Sequence, residues 1–239
     1  MAPNPRRAVS TTASEHLVVD ESRVPPALAV LVAAVLYATL PPKYVSGGTS
    51  FFSAARFVLP VLEILLLIPL VLIAPRLRQG LHLLERLWRR RAVLGLVGLI
   101  SLGNAASVVI LVHLIITGRH TNGHELVRAS INIWWTNVIV FGLWYWLLDG
   151  GGPMRRTQSS DRRDRDFLFP QQETPEIGSA GWRPRFVDYL YVSYTNAAAF
   201  SPTDAMPLTQ WAKLLMLVES AASLLTLLMV AARAVNILQ

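Results

Sequence analysis

Residues 211–238 read WAKLLMLVESAASLLTLLMVAARAVNIL, and this stretch decides the fold class. It is helical in pattern, interrupted by Glu219 and Arg233, and longer than the ~20 apolar residues that cross a bilayer. The rest of the chain agrees. Of 239 residues, 53% are hydrophobic and 15% charged, against roughly a quarter charged in an ordinary soluble domain. Mean hydropathy is +0.42. These values disfavour a soluble enzyme, a disordered chain and a fibre, and they suit an all-α integral membrane protein.

Working back from that helix, four more apolar runs precede it. Pro25–Pro41 is short, alanine- and valine-rich, and bracketed by prolines, which suit helix ends. Phe51–Pro75 holds Pro60, Glu63 and Pro69, so kinks are expected, tolerated where neighbours satisfy the freed carbonyls. Ala92–Thr117 carries Ser101, Gly103, Asn104 and Ser107, small polar residues that allow close helix approach. Ile131–Leu148 has Trp134-Trp135 near one end and Trp144-Tyr145-Trp146 near the other, placed like interfacial belts. About five transmembrane helices are therefore expected.

Between the second and third runs, Leu77, Leu81, Leu84 and Trp88 share one helical face, with Arg76, Arg78, Arg86, Arg89, Arg90 and Arg91 around them. That pattern predicts an amphipathic surface helix over 76–91. The expected organisation is a polar tail (1–23), four spans with this connector (24–149), a polar loop (150–187) and a C-terminal module (188–239). In the polar loop, Phe167-Leu168-Phe169-Pro170 is an apolar patch suited to the membrane interface or to docking on protein.

The chain has no cysteine, which excludes disulfides, thiolate chemistry and iron–sulfur clusters. Its charge is +7 and its pI about 10.4. The basic residues flank apolar runs, so they are read as topology signals and contacts to anionic headgroups rather than as a nucleic-acid surface. His113, His120 and His124 fall near one membrane face, but their spacing fixes no ligand set, and no metal or other cofactor is expected. Gly150-Gly151-Gly152 lacks the strand and the Lys-Ser/Thr of a phosphate loop. No arrangement for nucleophilic or acid–base catalysis is recognisable, so an enzyme is not expected.

The C-terminal module carries the functional information. Phe186–Phe200 is moderately apolar but too short to span, and a polar, proline-containing strip joins it to the long helix. A helix that cannot span must re-enter on the same side. Irregular backbone at membrane depth is tolerated only inside protein or along a wet cavity. A re-entrant helix over 188–198, a non-helical return over 199–207 and a spanning helix over 210–238 are expected.

Asp204-Ala205-Met206-Pro207-Leu208-Thr209-Gln210-Trp211-Ala212-Lys213-Leu214 resembles the stretch that follows the filter in potassium-channel pore modules. There the filter aspartate is followed by proline and threonine at the same offsets, then by an aromatic and a basic residue. The resemblance covers about 50 C-terminal residues. It implies that Asp188–Ala198 is a pore helix, that Ala199, Phe200, Ser201, Pro202 and Thr203 occupy the filter, and that the last two spans are outer and inner helices. The chain departs from the family where selectivity arises. It has no glycine after Gly181, and Pro202 stands in place of the filter tyrosine. A glycine-based carbonyl ladder is therefore missing, and potassium selectivity does not carry over.

The resemblance implies a weakly selective channel for monovalent cations, a homo-oligomer and most simply a homotetramer. Thr195, Asn196, Ser201, Thr203 and Asp204 would then line the constriction. Asp204 reads equally well as the cap of the last helix. The intramembrane carboxylates Glu63 and Glu219 would line a path, bind a proton, or make a structural hydrogen bond. The alternative is a non-conducting scaffold or partner-binding subunit in which 199–207 is a buried turn. A secondary transporter ranks third, because no inverted repeat is visible. The arginine-rich 76–91 and 150–185 segments place themselves and the N-terminus in the cytoplasm of a bacterial-type plasma membrane. The pore loop would then enter from the cytoplasmic side, inverted relative to potassium channels but as in ionotropic glutamate receptors.

Overall fold

The computed structural model describes residues 22, 24–41, 44, 60–61, 83–117, 123–158, 165–174, 176, 182–199, 201 and 205–237. It is mostly helical. The long elements are α1 (Val24–Ala38), α2 (Leu83–Ile116), α3 (Gly123–Leu148), α6 (Phe186–Ala199) and α7 (Gln210–Ile237). Between α3 and α6 lie a 3-10 turn (Asp149–Gly151), α4 (Pro153–Gln158), β1 (Phe167–Leu168) and α5 (Pro170–Glu173). A second short strand, β2 (Met206–Pro207), precedes α7 and pairs antiparallel with β1. Three stretches are long and apolar enough to cross a membrane: Arg90–Ile116, Gly123–Gly151 and Gln210–Ala232. This is the helix set of a membrane protein. The run at 51–75, with Glu63, lies outside the described residues apart from Pro60 and Val61.

Helix α3 is central and touches α1, α2, α6 and α7. One core cluster joins Ala29, Val30 and Ala33 of α1, Leu96, Val97 and Ile100 of α2, Val192 of α6 and Met216 of α7 to the C-terminal half of α3. A second joins Tyr37, Leu40, Leu111 and Leu114 to Leu126, Ala129 and Ile133 at its start. The helices α1, α2, α6 and α7 therefore all run from the Asp149 end of α3 toward its Leu126 end, antiparallel to α3.

Several boundaries differ from the sequence reading, each for a local reason. Residues 83–91 are not a separate surface helix; they are the first turns of α2, since no proline or glycine separates Leu83 from Leu94. Residues 76–82 lie outside the described residues. Helix α3 begins at Gly123 rather than near Ile131, because Leu126, Ala129 and Ser130 already face the core. Tyr145 and Trp146, read as part of an interfacial belt, point into the bundle. The 150–187 segment carries ordered pieces packed on the bundle: Phe167 and Phe169 are buried against Tyr145 and Tyr189.

One glycine marks a close approach of two helices. A Cβ on Gly142 of α3 would sit 3.1 Å from the Cα of Leu190 on α6. Its missing side chain lets α6 lie against α3 closely enough for side-chain hydrogen bonds to form between them. Gly150, Gly151 and Gly152 adopt φ of 57°, 77° and 101°, and they turn the chain sharply at the end of α3.

Candidate functional site

Two polar clusters lie along the seam where α3, α6 and α7 meet, and helical spacing builds both. On α7, Glu219, Ser223 and Thr226 follow at intervals of four and three, so they share the buried stripe with Ala212 and Met216. Leu214, Leu217, Val218, Leu224 and Leu228 cover the exposed side. On α6, Tyr189, Ser193 and Asn196 recur at four and three on the face toward α3 and α7. On α3 and the turn that follows it, Asn137, Tyr145 and Asp149 lie eight and four residues apart and are buried as well.

The first cluster centres on Glu219, which is 0% exposed. The Tyr145 hydroxyl lies 2.5 Å from Glu219 Oε2, and Asn196 Nδ2 lies 2.6 Å from the same oxygen. Ser193 Oγ contacts Glu219 Oε1 and lies 2.7 Å from the Val138 carbonyl oxygen. Asn196 Nδ2 also donates to the Met216 carbonyl at 3.0 Å, while its Oδ1 accepts from Ser220 at 3.1 Å. One layer deeper, Asn137 Nδ2 donates to Ser223 Oγ (3.1 Å) and to the Glu219 carbonyl (3.3 Å). Its Oδ1 accepts from Asn104 of α2 at 3.3 Å. The cluster thus ties four helices together through neutral side chains around one carboxyl group. Among the described residues no ion pair involves Glu219.

The second cluster centres on Asp149, also 0% exposed, at the arginine-rich end. Its Oδ1 accepts from the backbone N–H of Asp166 (2.7 Å) and of Phe167 (3.1 Å), and its Oδ2 accepts from the Tyr189 hydroxyl. Arg156 Nη1 lies 4.0 Å from Oδ2 and donates to the carbonyls of Trp146 and Asp149 at 2.7 Å each. The Arg156 guanidinium also sits 5.0 Å from the Tyr189 ring centre. Asp166 extends the cluster: it accepts from the Gly150 N–H (3.2 Å) and the Thr209 hydroxyl (2.7 Å), and its carbonyl accepts from the Leu208 N–H at 2.8 Å. The start of α7 is thereby fastened to the end of α3.

The residues marked in the sequence distribute unevenly. Glu219 and Asn196 meet directly. Thr195 donates to carbonyls of its own helix, at Tyr191 and Val192. Ala199 and Ser201 are exposed. Phe200, Pro202, Thr203 and Asp204 lie outside the described residues. Tyr145, Asn137, Ser193, Asp149, Arg156 and Asp166 were not singled out from sequence. The signal for three of them, Asn137, Tyr145 and Ser193, is present: polar residues at helical spacing inside otherwise apolar α3 and α6. Among the described residues, no group of histidine and carboxylate side chains is arranged to hold a metal. No family model, curated protein or solved structure matches the chain.

Proposed function

We propose that the protein is a five-span membrane protein built on a re-entrant α6–return–α7 module, and that identical subunits assemble this module into a weakly selective pathway for monovalent cations. The observation that carries this reading is that consecutive helices α6 and α7 run the same way. Tyr189 near the start of α6 meets Asp149, while Asn196 near its end meets Glu219, well inside α7. Ala205 and β2 are back at the Asp149 end, beside β1. With 14 residues α6 is about 21 Å long, short of the ~30 Å hydrocarbon core. The six steps from Ala199 to Ala205 reach about 20 Å when extended, enough for the return.

The same reasoning supports the fifth span. The helices α1 and α2 also run in one direction, and the apolar run at 51–75 that separates them in sequence is long enough to be that span. The positive-inside rule puts the Asp149 end in the cytoplasm, since Arg90, Arg91, Arg155, Arg165, Arg183 and Arg185 gather there and face anionic headgroups. The module then enters from the cytoplasmic side. Purified protein in planar bilayers tests the pathway. The expected result is a cation conductance with little preference for potassium over sodium, because no glycine ladder is available. A silent, monomeric protein would overturn it.

One observation favours a second reading, a non-conducting partner-binding subunit. Ser193, Thr195 and Asn196 spend their hydrogen bonds within the chain. Silent bilayers together with a stable monomer are the outcome this reading expects.

A further inference from the structure

We infer that Glu219 is a proton-binding site in the centre of the bundle, and that the bound proton bridges α7 to α6 and α3 through Ser193. The inference rests on counting hydrogens and does not depend on the pore reading.

Five close polar contacts surround this group. They are Tyr145 Oη to Glu219 Oε2, Asn196 Nδ2 to Glu219 Oε2, Asn196 Nδ2 to Met216 O, Ser193 Oγ to Glu219 Oε1, and Ser193 Oγ to Val138 O. Each needs one hydrogen. Tyr145 and Ser193 supply one each and the Asn196 amide supplies two. The amide cannot be turned over, because Oδ1 would then face two acceptors and Nδ2 would meet the Ser220 hydroxyl. Four hydrogens are thus available for five contacts. With a carboxylate, Ser193 faces two acceptors and has one proton, so either the Val138 carbonyl or Oε1 meets a bare oxygen. A carboxylic acid closes the count. Oε1–H donates to Ser193 Oγ, Ser193 donates to the Val138 carbonyl, and Oε2 accepts from Tyr145 and Asn196.

The surroundings agree with a neutral group. From α3 the facing groups are Tyr145 and Asn137; from α6, Ser193 and Asn196; from α2, Asn104. The charged side chains nearest in sequence to these facing groups are Asp149, just past the end of α3 and beside Arg156; Asp188, in the first turn of α6, where it accepts from the Arg185 N–H; and Lys213, exposed on α7. None of them pairs with Glu219. An unpaired buried charge is far more costly than a hydrogen-bonded neutral acid. The proton is therefore a structural ligand: removing it leaves one contact without a hydrogen at the point where α6 is held to α3.

Glutamine reproduces the inferred arrangement, with Nε2 donating to Ser193 and Oε1 accepting from Tyr145 and Asn196. Infrared spectra of the reconstituted protein, unlabelled and with 13C-glutamate, read protonated carboxyls directly. At neutral pH we expect an isotope-sensitive carboxylic C=O band that is absent in Glu219→Gln, retained in Glu63→Gln, and shifted in Ser193→Ala because its acceptor is gone. Glu219→Gln should fold with an unchanged Tm. The proposal is overturned by a wild type with no carboxylic band that Glu219→Gln removes, by a band that Ser193→Ala leaves in place, or by a Glu219→Gln variant that fails to fold.

Discussion

Asp149 and Glu219 are equally buried, yet the chain satisfies them by different means. Asp149 sits at the arginine-rich end, accepts from two backbone N–H groups and a tyrosine, and has a guanidinium beside it. Glu219 lies deep in the bundle and meets three neutral side chains. The difference follows from depth. Near the membrane surface irregular backbone exists, and its free N–H groups can reach a carboxylate. In the middle of a span every backbone N–H is committed to its own helix, so only side chains are available as donors. One cluster fastens chain segments; the other fastens helices.

The largest expected effect is at the fastening of chain segments. Asp149→Ala removes the acceptor shared by the N–H groups of Asp166 and Phe167 and the Tyr189 hydroxyl, and with it the carboxylate beside the Arg156 guanidinium, in a buried place. A loss of about 3–5 kcal/mol is expected, on the scale of a broken buried charge pair. Thermal unfolding followed by circular dichroism in detergent would read it. A variant as stable as wild type would mean that water reaches this cluster and that the comparison with Glu219 fails.

Next comes the helix fastening. Glu219→Ala takes the acceptor from the Tyr145 hydroxyl and from one Asn196 N–H, takes the donor that Ser193 Oγ accepts from, and opens a cavity. Unsatisfied buried donors cost about 1–3 kcal/mol. The variant should lose Tm clearly. If the alanine is tolerated, the cluster is not what holds α6 in place.

These two clusters were unequally legible in the sequence. Asn196 stands out only through the pore-loop resemblance, whereas a glutamate inside an apolar 28-residue run, Glu219, is conspicuous by itself. Its partners were harder, because Tyr145 reads as an interfacial aromatic and Ser193 as a small residue of no note. Only the packing of α3 against α6, permitted by Gly142, brings them together. Asp149 carries no such mark: it falls between the fourth apolar run and three glycines. Its role depends on Asp166 and Phe167 returning from seventeen and eighteen residues away in a stretch read as a polar loop. No periodicity encodes that return. The three membrane-length helices were legible because apolar length is a direct physical requirement of a bilayer.

Gly142 offers a way to separate the two clusters. Gly142→Val puts a Cβ 3.1 Å from the Leu190 backbone and further methyls beyond it. Overpacking of this kind costs about 1–3 kcal/mol. The Glu219 contacts to α6 should weaken while the β1–β2 fastening persists. Hydrogen exchange would then rise in α6 and stay low at 167–168. A uniform rise across both would show that the clusters unfold as one unit.

A smaller effect is expected at Thr209, whose hydroxyl donates to Asp166 at 2.7 Å while Asp166 keeps its other donors. Thr209→Val removes that hydrogen bond and the one its Oγ accepts from the Ala212 N–H at the start of α7, together about 1–2 kcal/mol. The loss should appear as faster exchange at the start of α7 with α6 unchanged.

The smallest effect belongs to neither cluster and serves to keep their pH behaviour legible. Tyr44 packs at the Leu126 end with Leu111 and Leu126. Burial, helped by the negative charge of Glu125, pushes its hydroxyl up to about 12 from an ordinary value of 10.0. A tyrosine is neutral when protonated, so a raised value means that folding favours the protonated form. That contribution is fully present below pH 10 and is lost as the pH rises toward 12. Stability of the wild type should therefore fall over this window, and Tyr44→Phe, which has no proton to lose, should flatten the fall. The comparison is made by equilibrium unfolding at several alkaline pH values. If Tyr44→Phe and wild type decline in parallel, the alkaline loss arises elsewhere and Tyr44 does not set it.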